Sequence, residues 1–137
     1  MLKLADLKDF TELEIRQHLS SEYAGKDSGF NYGSPTELEK SELLNELDNY
    51  SILVAYESVG DYGCDSASWF LLQNVKSGLY FEVSGSHCSC YGFEGQFELC
   101  ETPLEYLKSD KFYLGCGGYD DEGGENQEQV KAFLKSL

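Results

Sequence analysis

The chain has 137 residues, 41% of them hydrophobic, and 25 acidic against 10 basic side chains, for a formal net charge of -15. That length suits one domain with one core. The charge balance argues against a nucleic-acid binder, which needs clustered cations to displace phosphate counterions, and no apolar run approaches the roughly 20 residues that cross a bilayer. Arg16 is the single arginine, and the remaining cations are lysines scattered through an acidic field that favours encounter with a basic partner or serves solubility alone. The opening "MLKLADLKDF" mixes charges with leucines instead of forming the apolar core of an export signal, so a soluble, cytoplasmic protein is expected.

In chain order, Leu4, Leu7, Phe10, Leu13, Ile15 and Leu19 recur mostly at spacings of three and four, which predicts an amphipathic helix from Lys3 to about Tyr23. After a glycine-bearing loop, "SPTELEKSELLNELDNY" reads as a second helix from Pro35 to about Asp48. Ser34 would be its N-cap, Pro35 its first residue and Glu37 the side chain reaching back. The period then shortens. "YSILVAYES", "ASWFLLQN" and "GLYFEVSG" read as strands, the last two joined by a turn at "VKSG", and Phe93 to Leu99 suggests a fourth because Phe93, Phe97 and Leu99 would share a face.

Thr102, Pro103 and Glu105 repeat the cap logic for a short helix, Lys111 to Leu114 suggests a short strand, and the glycines and acids after it a loop. "NQEQVKAFLKSL" reads as a last helix with Val130, Phe133, Leu134 and Leu137 inward. The expected fold is therefore α+β in a single domain: an antiparallel three- to four-stranded meander (50–100) between a helical N-terminal part (1–49) and a helical C-terminal part (101–137).

Five cysteines, Cys64, Cys88, Cys90, Cys100 and Cys116, are many for a chain without an export signal, and in a reducing compartment they point to metal ligands or buried thiols. The stretch "SGSHCSCYGFEG" places His87, Cys88 and Cys90 within a glycine-rich turn, and thiolate with imidazole is a zinc donor set. Cys64 completes it best, because the start of one meander strand and the end of its antiparallel neighbour share a sheet edge. Cys88, Cys90, Cys100 and Cys116, spaced C-x-C-x9-C-x15-C, form the competing set, and a plain turn with buried thiols is the metal-free alternative.

An enzyme would need Cys88 as nucleophile with its own neighbour His87 as base, a poor geometry, since His18 is the only other histidine. Hydrolytic zinc would need a base such as Asp65, Glu82 or Glu94, and nothing singles one out. A non-enzymatic protein is the expectation, with a small zinc- or thiol-dependent enzyme or a metal-free acidic interaction domain as alternatives. The aromatics of the strands, such as Trp69 and Phe81, read as packing.

The block from Gly60 to Leu107, with "EVSGSHCSCYGFEGQ" at its centre, resembles small proteins encoded by phages and other mobile elements that carry an EV-x-G-S-H-C-S-C-Y-G-x-E-x-Q stretch. Cys88 and Cys90 match that pattern, whereas Cys64, Cys100 and Cys116 stand outside its core. The resemblance implies a phage setting and an anti-defence role, of which a metal-binding type II-A anti-CRISPR protein is the nearest kind. The structural zinc expected from the residues themselves, on Cys64, His87, Cys88 and Cys90, fits that setting, although the resemblance itself extends only to Cys88 and Cys90 among the cysteines. A protein of that kind would present acids, with Asp120, Asp121, Glu122 and Glu125 as the candidate contacts, to a basic host protein, a CRISPR effector nuclease whose channel holds the heteroduplex.

Overall fold

The computed structural model describes residues 1–25, 35–59, 66–87, 92–114 and 121–137, the last stretch with side chains from Asn126 onward. The element order is β1 (Leu2–Ala5), α1 (Glu12–Tyr23), α2 (Glu37–Leu47), β2 (Tyr50–Ser58), β3 (Ser66–Asn74), β4 (Tyr80–His87), β5 (Cys100–Glu101), α3 (Leu104–Leu107) and α4 (Asp121–Lys135). The strands form one sheet in sequence order, β1 parallel to β2 and every other pair antiparallel.

The α+β class and the central meander match the expectation, with five strands where three or four were expected. The N-terminal segment differs. It is not helical from Lys3, because Leu2 to Ala5 pair with Val54 to Glu57 and Ala5 turns the chain at φ 56°. The spacing of Leu4 and Leu7 imitates a helix, yet the two leucines pack on opposite faces of the sheet.

Both long N-terminal helices begin at the same tetrapeptide, TELE. Thr11 and Thr36 each accept the backbone N–H of the glutamate three residues on, and Glu14 and Glu39 each accept the threonine N–H in return. These bonds, backbone first, hold the Glu14 carboxyl below its ordinary pKa. Ser34, the expected cap of α2, lies outside the described residues, and the helix starts two residues later than the earlier S-x-x-E pattern suggested.

Strand parity sorts the core into two layers. Ile15, Leu19 and Tyr23 of α1 and Leu43 and Leu47 of α2 cover Ile52, Ala55, Phe70, Leu72 and Val83, joined by Phe93. Leu107 of α3 and Val130 and Leu134 of α4 cover Leu4, Val54, Tyr56, Trp69 and Leu71 on the opposite face, joined by Phe112 and Leu114. A register shift between Ile52 and Val54 moves Ile52 onto the face of Ala55 and Glu57.

Three further expectations are corrected. Phe93 to Leu99 is a turn and an extended run, not a strand. Its backbone does not pair with β4 over that stretch; the Gln96 side chain takes the place of a ladder, accepting from Ser86 N and donating to Ser86 O, 2.8 Å each. Phe93, Phe97 and Leu99 nonetheless all pack on the α1/α2 side. Thr102 does not cap α3; its hydroxyl is shared between Glu82 Oε2 (3.0 Å) and Cys100 O (3.1 Å), and Pro103 precedes the helix. Lys111 to Leu114 is likewise no strand, although Phe112 and Leu114 are buried, and the Leu114 N–H donates to Gln127 Oε1 on α4 at 3.1 Å.

Candidate functional site

Ser66 and His87 are Cα partners where β3 begins and β4 ends. β3 therefore starts where β4 finishes. Cys64, Asp65, Cys88 and Cys90 themselves lie outside the described residues, as does Cys116. Of the proposed zinc ligands the structure describes His87 alone. Its ring meets the edge of Phe93 with centroids 4.4 Å apart at 83°.

Cys100 is described, exposed and free, and it pairs with Glu82 on β4. Five strand residues, about 16 Å at the usual rise per residue, separate Glu82 from His87. Zinc ligands around one ion lie within ~4 Å of each other, so Cys100 and His87 do not share an ion in this arrangement.

The base of the motif is built for close approach. A Cβ on Gly85 would lie 2.9 Å from Phe93 Cδ1, 2.9 Å from Ser68 Oγ and 3.1 Å from Gln96 Oε1. Gln96 also donates to Gly92 O at 3.3 Å, and Gly95, at φ 75°, donates its N–H to Tyr23 O and Ala24 O, 3.1 Å each. The last carbonyls of α1, which no helix N–H reaches, are thereby satisfied by the segment that follows the cysteines.

Beside it lies a polar cluster that strand alternation alone did not expose. Glu57, 4% exposed, faces α1. Its Oε1 accepts the Tyr23 hydroxyl at 2.6 Å, and His18 Nε2 is 2.9 Å from each carboxylate oxygen. Burial of the ring pulls the His18 pKa down, but the hydrogen bond to Glu57, the charge of Glu57 and that of Glu22 outweigh it, so the net direction is upward. Burial, followed by the charge and hydrogen bond of Glu57, pushes the Tyr23 phenol far above its ordinary value, so it stays protonated and donates.

The Ser68 hydroxyl sits near that phenol and slightly opposes the shift, but it lies outside hydrogen-bond geometry; it and Ser66 Oγ are buried without partners. The only sequence signal for the cluster was Glu57 itself, a carboxylate in the apolar run "SILVAYES".

The chemistry of this cluster is that of a buried, compensated charge. It offers no nucleophile beside a base, and among the described residues no group of three or more His, Cys, Asp and Glu side chains could hold a metal ion. Arg16, the single arginine, is spent internally: Nη1 donates to Leu47 O (2.6 Å) and Nη2 to Tyr50 O (2.7 Å), with Glu12 Oε1 at 3.1 Å.

Of the candidate partner contacts, Asp120 lies outside the described residues, whereas Asp121, Glu122 and Glu125 fall in the first turns of α4 and not in a loop. No described helix is long and apolar enough to cross a membrane. Comparison of the chain with protein-family models, with curated proteins and with solved structures returns no match.

Proposed function

We propose that this chain is a non-enzymatic anti-defence protein of phage type that binds a basic surface of a CRISPR effector nuclease and blocks DNA binding or cleavage. A structural zinc on Cys64, His87, Cys88 and Cys90 is part of the same reading. The observation that carries it is the distribution of charge. The α1/α2 layer holds seven glutamates, three in α1 and four in α2, against Arg16 and Lys40. Arg16 is bound to carbonyls and Glu12, and Lys40 pairs with Glu37, so neither cation neutralises the outer face as a whole. Leu13 and Leu38, 61% and 68% exposed, stand among these acids as apolar anchors. Helix α4, across the sheet, is less one-sided, with Asp121, Glu122, Glu125 and Glu128 against Lys131 and Lys135. A face of this kind complements a channel that normally grips phosphate.

The test is co-elution with an RNA-guided nuclease and inhibition of its DNA cleavage. Charge reversal at Glu12, Glu42 and Glu46 should abolish both, and reversal at Glu122 and Glu125, on the layer across the sheet, should then have little effect. The opposite pattern would move the interface to the start of α4, and absence of binding to any such nuclease would sink the reading. Elemental analysis tests the metal: about one equivalent of zinc, lost on replacing Cys88 and Cys90, is expected, and metal-free protein prepared under reducing conditions would remove zinc from the reading.

A further inference from the structure

The His18, Tyr23 and Glu57 cluster and the base of the cysteine motif form one continuous assembly. The Tyr23 ring stacks on Phe93 at 4.6 Å and 9°, and Phe93 in turn meets His87. The backbone of Tyr23 and Ala24 receives Gly95 N–H. The residue whose hydroxyl is anchored by Glu57 is therefore also the residue on which the Gly92–Gln96 segment docks.

We propose that His18, Glu57 and Tyr23 act as a proton-sensitive clasp: with His18 protonated, Tyr23 is held and Gly92–Gln96 stays docked on the end of α1, and loss of that proton loosens the segment. The inference does not rest on the anti-defence reading.

The physical reason is charge compensation at a buried carboxylate, since the Glu57 side chain is 5% exposed and that of His18 21%. The imidazolium and the Glu57 carboxylate together are neutral. A neutral imidazole can still donate one hydrogen bond, but it leaves a buried carboxylate with neutral donors only, and a buried charge without a counter-charge is costly. Relief of this requires water to enter, and the Gly92–Gln96 segment, which packs on the cluster without a strand ladder, can give way without breaking the sheet. It is attached by Gly95 N–H, the Phe93 ring and the Gln96 amide, and Glu94 within it has a buried carboxylate oxygen with no hydrogen bond.

Among the described residues, the charged groups around His18 are few. Glu57 comes from β2 and Glu22 from α1. The turn after β1 contributes the Phe10 ring, 5.8 Å away, whose carbonyl binds Lys3 Nζ. Asp6 is engaged with the Val59 N–H. Glu94 and His87 belong to the docked side. The direction of the His18 shift agrees with the geometry, since the native state favours the imidazolium.

The test is amide hydrogen exchange of the full chain from pH 5.5 to 9, corrected for intrinsic rates, read beside the His18 ring-proton titration. Gly95 should be less protected than the amides of β3 at every pH, which marks a local opening. Its protection should begin to fall above the ordinary histidine pKa, by up to about tenfold per pH unit, the slope of one proton, and level off where the His18 ring itself titrates. In His18→Gln the pH dependence should vanish, and in Glu94→Gln it should persist. Protection of Gly95 equal to that of β3, no pH dependence, a fall that levels off away from the His18 titration, or loss of the dependence in Glu94→Gln each overturns the clasp. The wild-type comparison decides even where His18→Gln fails to fold.

Discussion

Replacing Gly85 by alanine probes the close approach at the base of the motif. The added Cβ would meet Phe93 Cδ1 and Ser68 Oγ at 2.9 Å and Gln96 Oε1 at 3.1 Å, where favourable carbon contacts lie at about 3.5–4.0 Å. Ser68 can rotate, because its hydroxyl has no hydrogen bond to lose. Phe93 cannot retreat without leaving its stack on Tyr23, nor Gln96 without giving up both bonds to Ser86. Overpacking costs ~1–3 kcal/mol, and alanine recovers about 0.5 kcal/mol of backbone entropy relative to glycine. A net loss of about 0.5–2.5 kcal/mol is expected.

Urea unfolding followed by the fluorescence of Trp69, buried against α3 and α4 across the sheet, should show a lower midpoint at unchanged slope. Phe93→Leu should cost about 1–2 kcal/mol alone but at least ~1 kcal/mol less in the Gly85→Ala background, since the ring edge is the main obstacle. Gly85→Ala within about 0.5 kcal/mol of wild type, or additivity of the pair within that margin, would refute the reasoning.

Three other outcomes are expected. Thr11→Ala and Thr36→Ala should each lower stability by about 1 kcal/mol in urea unfolding, with serine at either site restoring most of it, because each removes one capping box. Tyr23→Phe should cost about 1.5–3 kcal/mol, the range for a hydrogen bond to a charged group, and calorimetry at pH 6 would measure it. The pH dependence has a definite sign. His18 has a raised folded pKa, so its contribution is full below the unfolded value of about 6.5 and is lost as pH rises through the raised folded value. The urea midpoint should therefore fall across that window in wild type and stay flat there in His18→Gln.

How much of this was legible in the sequence depends on how local each signal is. β2, β3 and β4 follow the runs "YSILVAYES", "ASWFLLQN" and "GLYFEVSG", and α4 follows its apolar spacing, because pattern and partner lie close together in the chain. β1 was hidden: its partner Val54 lies 52 positions after Leu2, and four residues are too few to separate a strand period from a helical one. The Glu57 cluster was hidden for a different reason. Simple alternation puts Ile52 opposite Glu57, and only the register shift after Ile52 brings both onto the face that α1 covers. The cap of α2 was misread because Ser34 to Glu37 and Thr36 to Glu39 both spell the capping pattern, and nothing local decides between them.

The base of the motif bears on what a bound metal would do. Small zinc domains unfold without metal because they lack another core. This chain has two, one on each face of a five-stranded sheet. The segment around the cysteines is already closed at its ends, by the Gln96 amide on Ser86 and by Gly95 on the carbonyls of α1. None of these contacts involves a metal ligand as donor or acceptor. If the proposed zinc is bound, a chelator should therefore leave the sheet and its cooperative unfolding intact. A chelator that abolished the cooperative unfolding transition itself would show that the two cores are too weak to stand without the ion, and that the hydrogen bonds at the base depend on it.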